Sequence, residues 1–147
     1  MRPTAHVIVS SVTGGVLSVW LHSWEAGMGC LLGGVLIDID HHIDYYFDYK
    51  KIPWRYKDLI DYCTSPAKDK LYLIFHAYEF LVLLWLAVFL LKLNSFWIGL
   101  GVGVSVHMMC DQFYNPLRPL AYFILYRIKN GFESKKLYTP EFLRKIS

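Results

Sequence analysis

The chain has 147 residues, of which 55% are hydrophobic, 17% aromatic and 18% charged, with a formal net charge of +3. Mean hydropathy is +0.32. These values exclude a disordered chain, an acidic tail and a coiled-coil rod. They leave too few charges to cover an ordinary water-facing domain, so the expected class is a small integral membrane protein. Three cysteines, Cys30, Cys63 and Cys110, form no CxxC pair and give an odd count, so no disulfide framework is expected.

Four apolar runs follow in chain order, at about 5–23, 27–40, 71–93 and 95–113. A spanning helix needs about 20 apolar residues. The first, third and fourth runs meet that length, and the second spans only with tilt or a thinned bilayer. The expected fold is an all-α, up-down bundle of about four transmembrane helices in one domain, 1–147. The 44–70 loop, rich in Tyr, Trp, Lys and Arg, suits the headgroup zone, and PWRYKDLIDY within it is expected as a short helix lying on the membrane. The 117–147 segment, with PLAYFILYRI at 119–128, is expected as an interfacial C-terminal helix.

Alternating spans place both termini and the long loop on one side. All basic residues except Lys92 then lie on that side. The positive-inside rule makes it the cytoplasmic face of the inner membrane.

The polar residues of the runs gather on the same side. His6 opens the first run, and Asp38, Asp40 and His41 close the second. His76 and Glu79 lie early in the third, and His107 and Asp111 late in the fourth. At 1.5 Å per residue, His76 and His107 lie roughly 8–9 Å inside their helix ends. Ionisable groups at that depth are costly and mark functional sites. His107 and Asp111 are four apart, and His76 and Glu79 three apart, so each pair shares a helix face. Helical bundles build di-metal sites from such pairs. Imidazole with carboxylate suits a divalent ion, zinc by preference, with manganese, iron or magnesium as alternatives. Eight candidates exceed one tetrahedral shell, so one or two ions are expected, with some of the eight orienting the others.

The stretch Gly33-Gly34-Val35-Leu36-Ile37-Asp38-Ile39-Asp40-His41, with His6 before it and His107-Met108-Met109-Cys110-Asp111 and Asn115-Pro116 after it, resembles the bacterial membrane-bound metal-dependent hydrolases. That inner-membrane family resembles the zinc-dependent phospholipases C in its motifs. Ile37 stands where the family has proline. Phe75-His76-Ala77-Tyr78-Glu79 stands where it has a His-Arg pair and a further histidine. The resemblance covers roughly residues 6–116 and implies hydrolysis by metal-activated water.

The expected substrate is a phosphoester of a membrane lipid or lipid-linked molecule, with Glu79 or Asp40 as general base. Nucleic acid is not expected as a partner, because the basic loop reads as the positive-inside signal. Two alternatives stay open. One is metal, proton or ion transport without hydrolysis. The other is a structural module whose metal only holds the bundle together. His22 lies at the far end of its run and is read as interfacial. His42 and Asp44 follow the motif and are read as facing water. The glycines at 14–15, 33–34, 99, 101 and 103 are expected to let helices pack closely.

Overall fold

The computed structural model describes residues 3–64 and 68–146. Its regular structure is helical, with two isolated β-bridges and no strand among the described residues. The helices are α1 (Pro3–Trp20), α2 (Trp24–Leu36), α3 (Ile39–Tyr49), α4 (Tyr56–Thr64), α5 (Tyr78–Leu90), α6 (Ser95–Tyr114), α7 (Ile124–Lys129), α8 (Ser134–Leu137) and α9 (Pro140–Ile146), with a 3₁₀ turn at Pro119–Tyr122.

No helix among the described residues is long and apolar enough to cross a membrane. This corrects the expectation of an integral membrane bundle of four transmembrane helices with an interfacial C-terminal helix. The run at 27–40 breaks at Ile37 and Asp38 into α2 and α3. The run at 71–93 yields only the 13 residues of α5, about 20 Å of helix against the roughly 30 Å of a hydrocarbon core. Both α1 and α6 are longer, but Ser, Thr, Gly and His dilute the first and glycines, His107 and Asp111 the second. The cytoplasmic-membrane localisation, with both termini and the site on its inner side, is corrected on the same finding. The count of basic residues carried sidedness only if spans alternated. The 119–128 segment folds as the 3₁₀ turn and the start of α7. The expected short helix in the 44–70 loop is present as α4.

Two compact units divide the chain, Met1–Ile37 with Glu79–Asn115 and Asp38–Tyr78 with Pro116–Ser147. The first unit is built on close helix contact. A methyl at Gly99 of α6 would fall 1.9 Å from the Ala26 carbonyl oxygen, and one at Gly103 would fall 2.1 Å from that of Cys30. From the other side, a methyl at Gly29 of α2 would lie 2.0 Å from the Phe96 oxygen and one at Gly33 2.3 Å from that of Leu100. Only hydrogen at these positions permits the approach of α2 to α6. Gly15, by contrast, faces open space. Trp85 of α5 packs on Gly101 and donates its indole N–H to Ser105 Oγ at 3.1 Å.

Both helix pairs of this unit turn in the same way. The Ser23 N–H reaches back to the Ser18 carbonyl and the Leu93 N–H to that of Val88, each at 3.0 Å. His22 (φ 49°) and Lys92 (φ 50°) supply the left-handed residue such helix ends require. Ser23 then caps α2 through its hydroxyl.

The second unit holds little regular structure between α4 and its C-terminal helices. Leu71, Ala121, Leu137 and Tyr138 form one core cluster, and Tyr45, Leu59 and Tyr62 another. The 68–77 segment is neither helix nor strand, yet Leu71, Leu73, His76 and Ala77 are buried. Buried backbone must find partners, and here side chains provide them. Asp44 accepts the N–H groups of Tyr72 and Leu73, each at 3.2 Å. Asp40 accepts those of Phe75 at 2.6 Å and His76 at 3.0 Å. Arg127 donates to the carbonyls of Tyr72, Leu73 and His76. This replaces the helix expected from residue 71 onward, and His76 and Glu79 consequently do not share a helix face.

Candidate metal centre

In the first unit α1 buries His6, Ser10, Gly14 and Leu17 on one face. The spacing of three and four brings His6 to the inner side. Helix α6 buries His107 and Asp111 one turn apart. His6 Nε2 lies 3.1 Å from Asp111 Oδ1, and His107 Nε2 lies 3.3 Å from Asp111 Oδ2. The two imidazoles stack with centroids 3.7 Å apart and planes 14° from parallel. All three groups are buried, and one ligand atom from each lies within 4.8 Å of the others.

The tautomer of His107 follows from its second nitrogen. Nδ1 lies 2.7 Å from the carbonyl oxygen of Gly34. A carbonyl only accepts, so Nδ1 carries a proton and Nε2 is the nitrogen that faces Asp111. A lone pair facing a carboxylate needs a cation or a second proton between them. A backbone carbonyl behind a histidine is a usual second partner of a metal ligand. Gly34 is suited to this place, since a methyl there would lie 1.9 Å from Ser10 Oγ.

In the second unit, Asp38 stands just before α3, Asp40 and His41 in its first turn, and His76 in the clamped segment. Asp38 Oδ1 lies 3.6 Å from His41 Nε2 and 3.7 Å from His76 Nε2. Two ligand atoms of a tetrahedral zinc, each at its usual bond length, are about 3.3 Å apart. The two Asp38–imidazole separations are each about 0.3–0.4 Å longer than that.

His76 Nδ1 lies 3.0 Å from Asp40 Oδ2. That oxygen already accepts two backbone N–H groups, so it accepts from Nδ1 as well, and Nε2 faces Asp38. This is the carboxylate–histidine arrangement that orients metal ligands. The other oxygen of Asp40, Oδ1, is buried and has no hydrogen-bond partner among the described residues. An acceptor left in that state costs about 1–3 kcal/mol or more for a charged group, and a cation or a donor removes the cost. Side chains of Asp38 and His41 keep 25% and 21% of their exposure, whereas His6 and Asp111 keep 3% each. The second group is therefore reachable from solvent, and the first is not.

The eight sequence candidates thus fall into two sets of four. His6, Glu79, His107 and Asp111 belong to the first unit, and Asp38, Asp40, His41 and His76 to the second. Glu79 stands half-buried in the first turn of α5. Two residues escaped the sequence reading. Asp44 is buried, not water-facing, and burial pushes its carboxyl up to about 6 against the N–H groups of Leu73 and Tyr72 and the charge of Lys68. It lies four residues after Asp40 on α3, a spacing that was there to be read. Arg127 is buried among carbonyls, and no local pattern distinguishes it from the other basic residues of the C-terminal segment.

No protein-family profile, curated protein or solved structure matches this chain.

Proposed function

We propose that the chain is a metal-dependent hydrolase of phosphoesters. Its divalent ions, one or two and zinc by preference, are bound through His6, His107 and Asp111 and through Asp38, His41 and His76. The observation that carries this reading is Asp38 Oδ1 between two imidazole Nε2 atoms, one of them oriented from behind by Asp40. Its partial exposure suits a reaction centre, which keeps a coordination position open. The resemblance to membrane-bound metal-dependent hydrolases supports the same chemistry through the Asp38-Ile39-Asp40-His41 stretch. No helix among the described residues is long and apolar enough to cross a membrane, and the substrate class proposed is the phosphoester itself.

A divalent ion there supplies an acidified water and a Lewis acid for the phosphoryl oxygen. The chain supplies the rest. Asp40 Oδ2 holds His76 in its Nδ1–H tautomer. Asp40 Oδ1, which accepts no hydrogen bond from the described residues, would be the oxygen available to take up a proton.

The buried group favours a second role for its own ion. With His6 on α1 and His107 and Asp111 on α6 all excluded from water, these three residues would hold an ion that ties two helices together.

The test is metal analysis on protein loaded with zinc or manganese, beside hydrolysis of bis(p-nitrophenyl) phosphate and of micellar phosphatidylcholine. Wild type is expected to retain one or two equivalents. His41→Ala is expected to abolish hydrolysis with a small change in melting temperature. His107→Ala, or chelator, is expected to lower the melting temperature by several degrees. Wild type that retains no metal after loading overturns the proposal.

A further inference from the structure

We infer that Arg127 is a positioning residue for His76. By gathering the carbonyls of the 72–76 segment, it holds the His76 imidazole against Asp40. The inference rests on the metal-site reading and adds to it the group that holds one ligand in place.

The geometry is specific. Arg127 is 1% exposed. Its Nε donates to the Ala121 carbonyl at 2.7 Å. Its Nη1 donates to the carbonyls of Tyr72 and Leu73, and its Nη2 to that of His76. Four carbonyls from two separate segments thus converge on one planar fork. Arginine alone offers donors in that fixed fan, and a lysine ammonium is a point charge without it.

The held segment has no ladder of its own. Leu73 is in the left-handed region at φ 43°, which costs a branched side chain about 1 kcal/mol or more and persists only where surroundings impose it. The N–H groups of Tyr72, Leu73, Phe75 and His76 go to Asp44 and Asp40, and the carbonyls of Tyr72, Leu73 and His76 go to Arg127. His76 is held at both backbone ends, by Asp40 at its N–H and by Arg127 at its carbonyl. The Nδ1 contact with Asp40 depends on that backbone position. Loosening the carbonyl side turns the ring away from the carboxylate and moves Nε2 from its place beside Asp38.

A purely structural arginine would lower stability and leave His76 unchanged in the molecules that remain folded. Histidine-¹⁵N-labelled protein distinguishes the two cases through long-range ¹H–¹⁵N spectra at one fixed pH and below the melting transition, with His76→Gln assigning the signal. Wild type is expected to show His76 as the Nδ1–H tautomer. Arg127→Lys and Arg127→Gln are expected to show mixed tautomers and to bind zinc about 10- to 100-fold more weakly. In the His76→Gln background, Arg127→Lys is expected to change zinc affinity less than twofold.

Three results overturn the inference. One is an unchanged tautomer and zinc affinity in folded variants. Another is an equal loss of affinity in the His76→Gln background. The last is failure of both variants to fold at any temperature, which makes Arg127 a residue of the fold alone. Wild type that binds no zinc overturns the metal reading instead, and the tautomer comparison still decides whether Arg127 positions His76.

Discussion

Asp44 carries a cost that depends on pH. Burial holds its carboxyl at about 6, above the ordinary value of 3.8, although two backbone N–H groups and Lys68 pull it down and Asp40 pushes it up. An acid whose folded value is raised keeps its proton where the unfolded chain has lost it. Folding is therefore favoured at low pH, and that contribution is lost as pH rises from about 4 to about 6. The loss is at most roughly 3 kcal/mol. Urea midpoints at pH 4.5 and pH 7 are expected to differ less in Asp44→Asn than in wild type. An equal pH dependence in the two would show that Asp44 ionises without strain. Asp38, Asp40, His41, His107 and Asp111 were legible as site candidates because ionisable groups in apolar runs stand out by cost alone. Arg127 was not, since a basic residue in a basic segment has no local signature and its role depends on carbonyls 51 to 55 residues away.

At the scale of elements, the helix ends and the glycine contacts make separate predictions. His22 and Lys92 hold the left-handed position where glycine is normally favoured. His22→Gly and Lys92→Gly are each expected to stabilise by about 0.5–1 kcal/mol in chemical denaturation, and destabilisation would mean that their side chains contribute to the turn. Gly99→Ala is expected to cost about 1–3 kcal/mol by forcing α6 away from Ala26. Gly15→Ala serves as the control, being in open space on the same kind of helix, and is expected to be neutral or stabilising. Equal effects at the two positions would show that propensity and not contact decides. The start of α5 shows where periodicity misleads. Residues 71–77 are apolar enough to continue the helix, but two buried aspartates and one arginine outcompete the i to i+4 bonds, and no window of local sequence contains those partners.

The whole molecule has an uneven surface. In α1 the buried face is His6, Ser10, Gly14 and Leu17, while Ile8, Val12, Val16 and Val19 are exposed. That is the reverse of a helix whose outer side meets water. Leu83, Leu86, Phe89 and Leu90 of α5 are exposed as well. Exposed apolar side chains clustered on a helix face mediate association. Light scattering is expected to show self-association rising with concentration, and Ile8→Gln with Val12→Gln and Val16→Gln is expected to reduce it. A wild type that stays monodisperse at high concentration would contradict this. Composition and run lengths determined by themselves that the chain is helical and rich in apolar surface, and cost singled out most of its buried ionisable groups, since both follow from local residue chemistry. Tertiary structure alone decided that the second and third apolar runs break into short helices and that the eight candidates divide between two units. It also decided that an irregular segment carries His76. Each of those outcomes depends on hydrogen-bond partners and close backbone contacts far away in the chain.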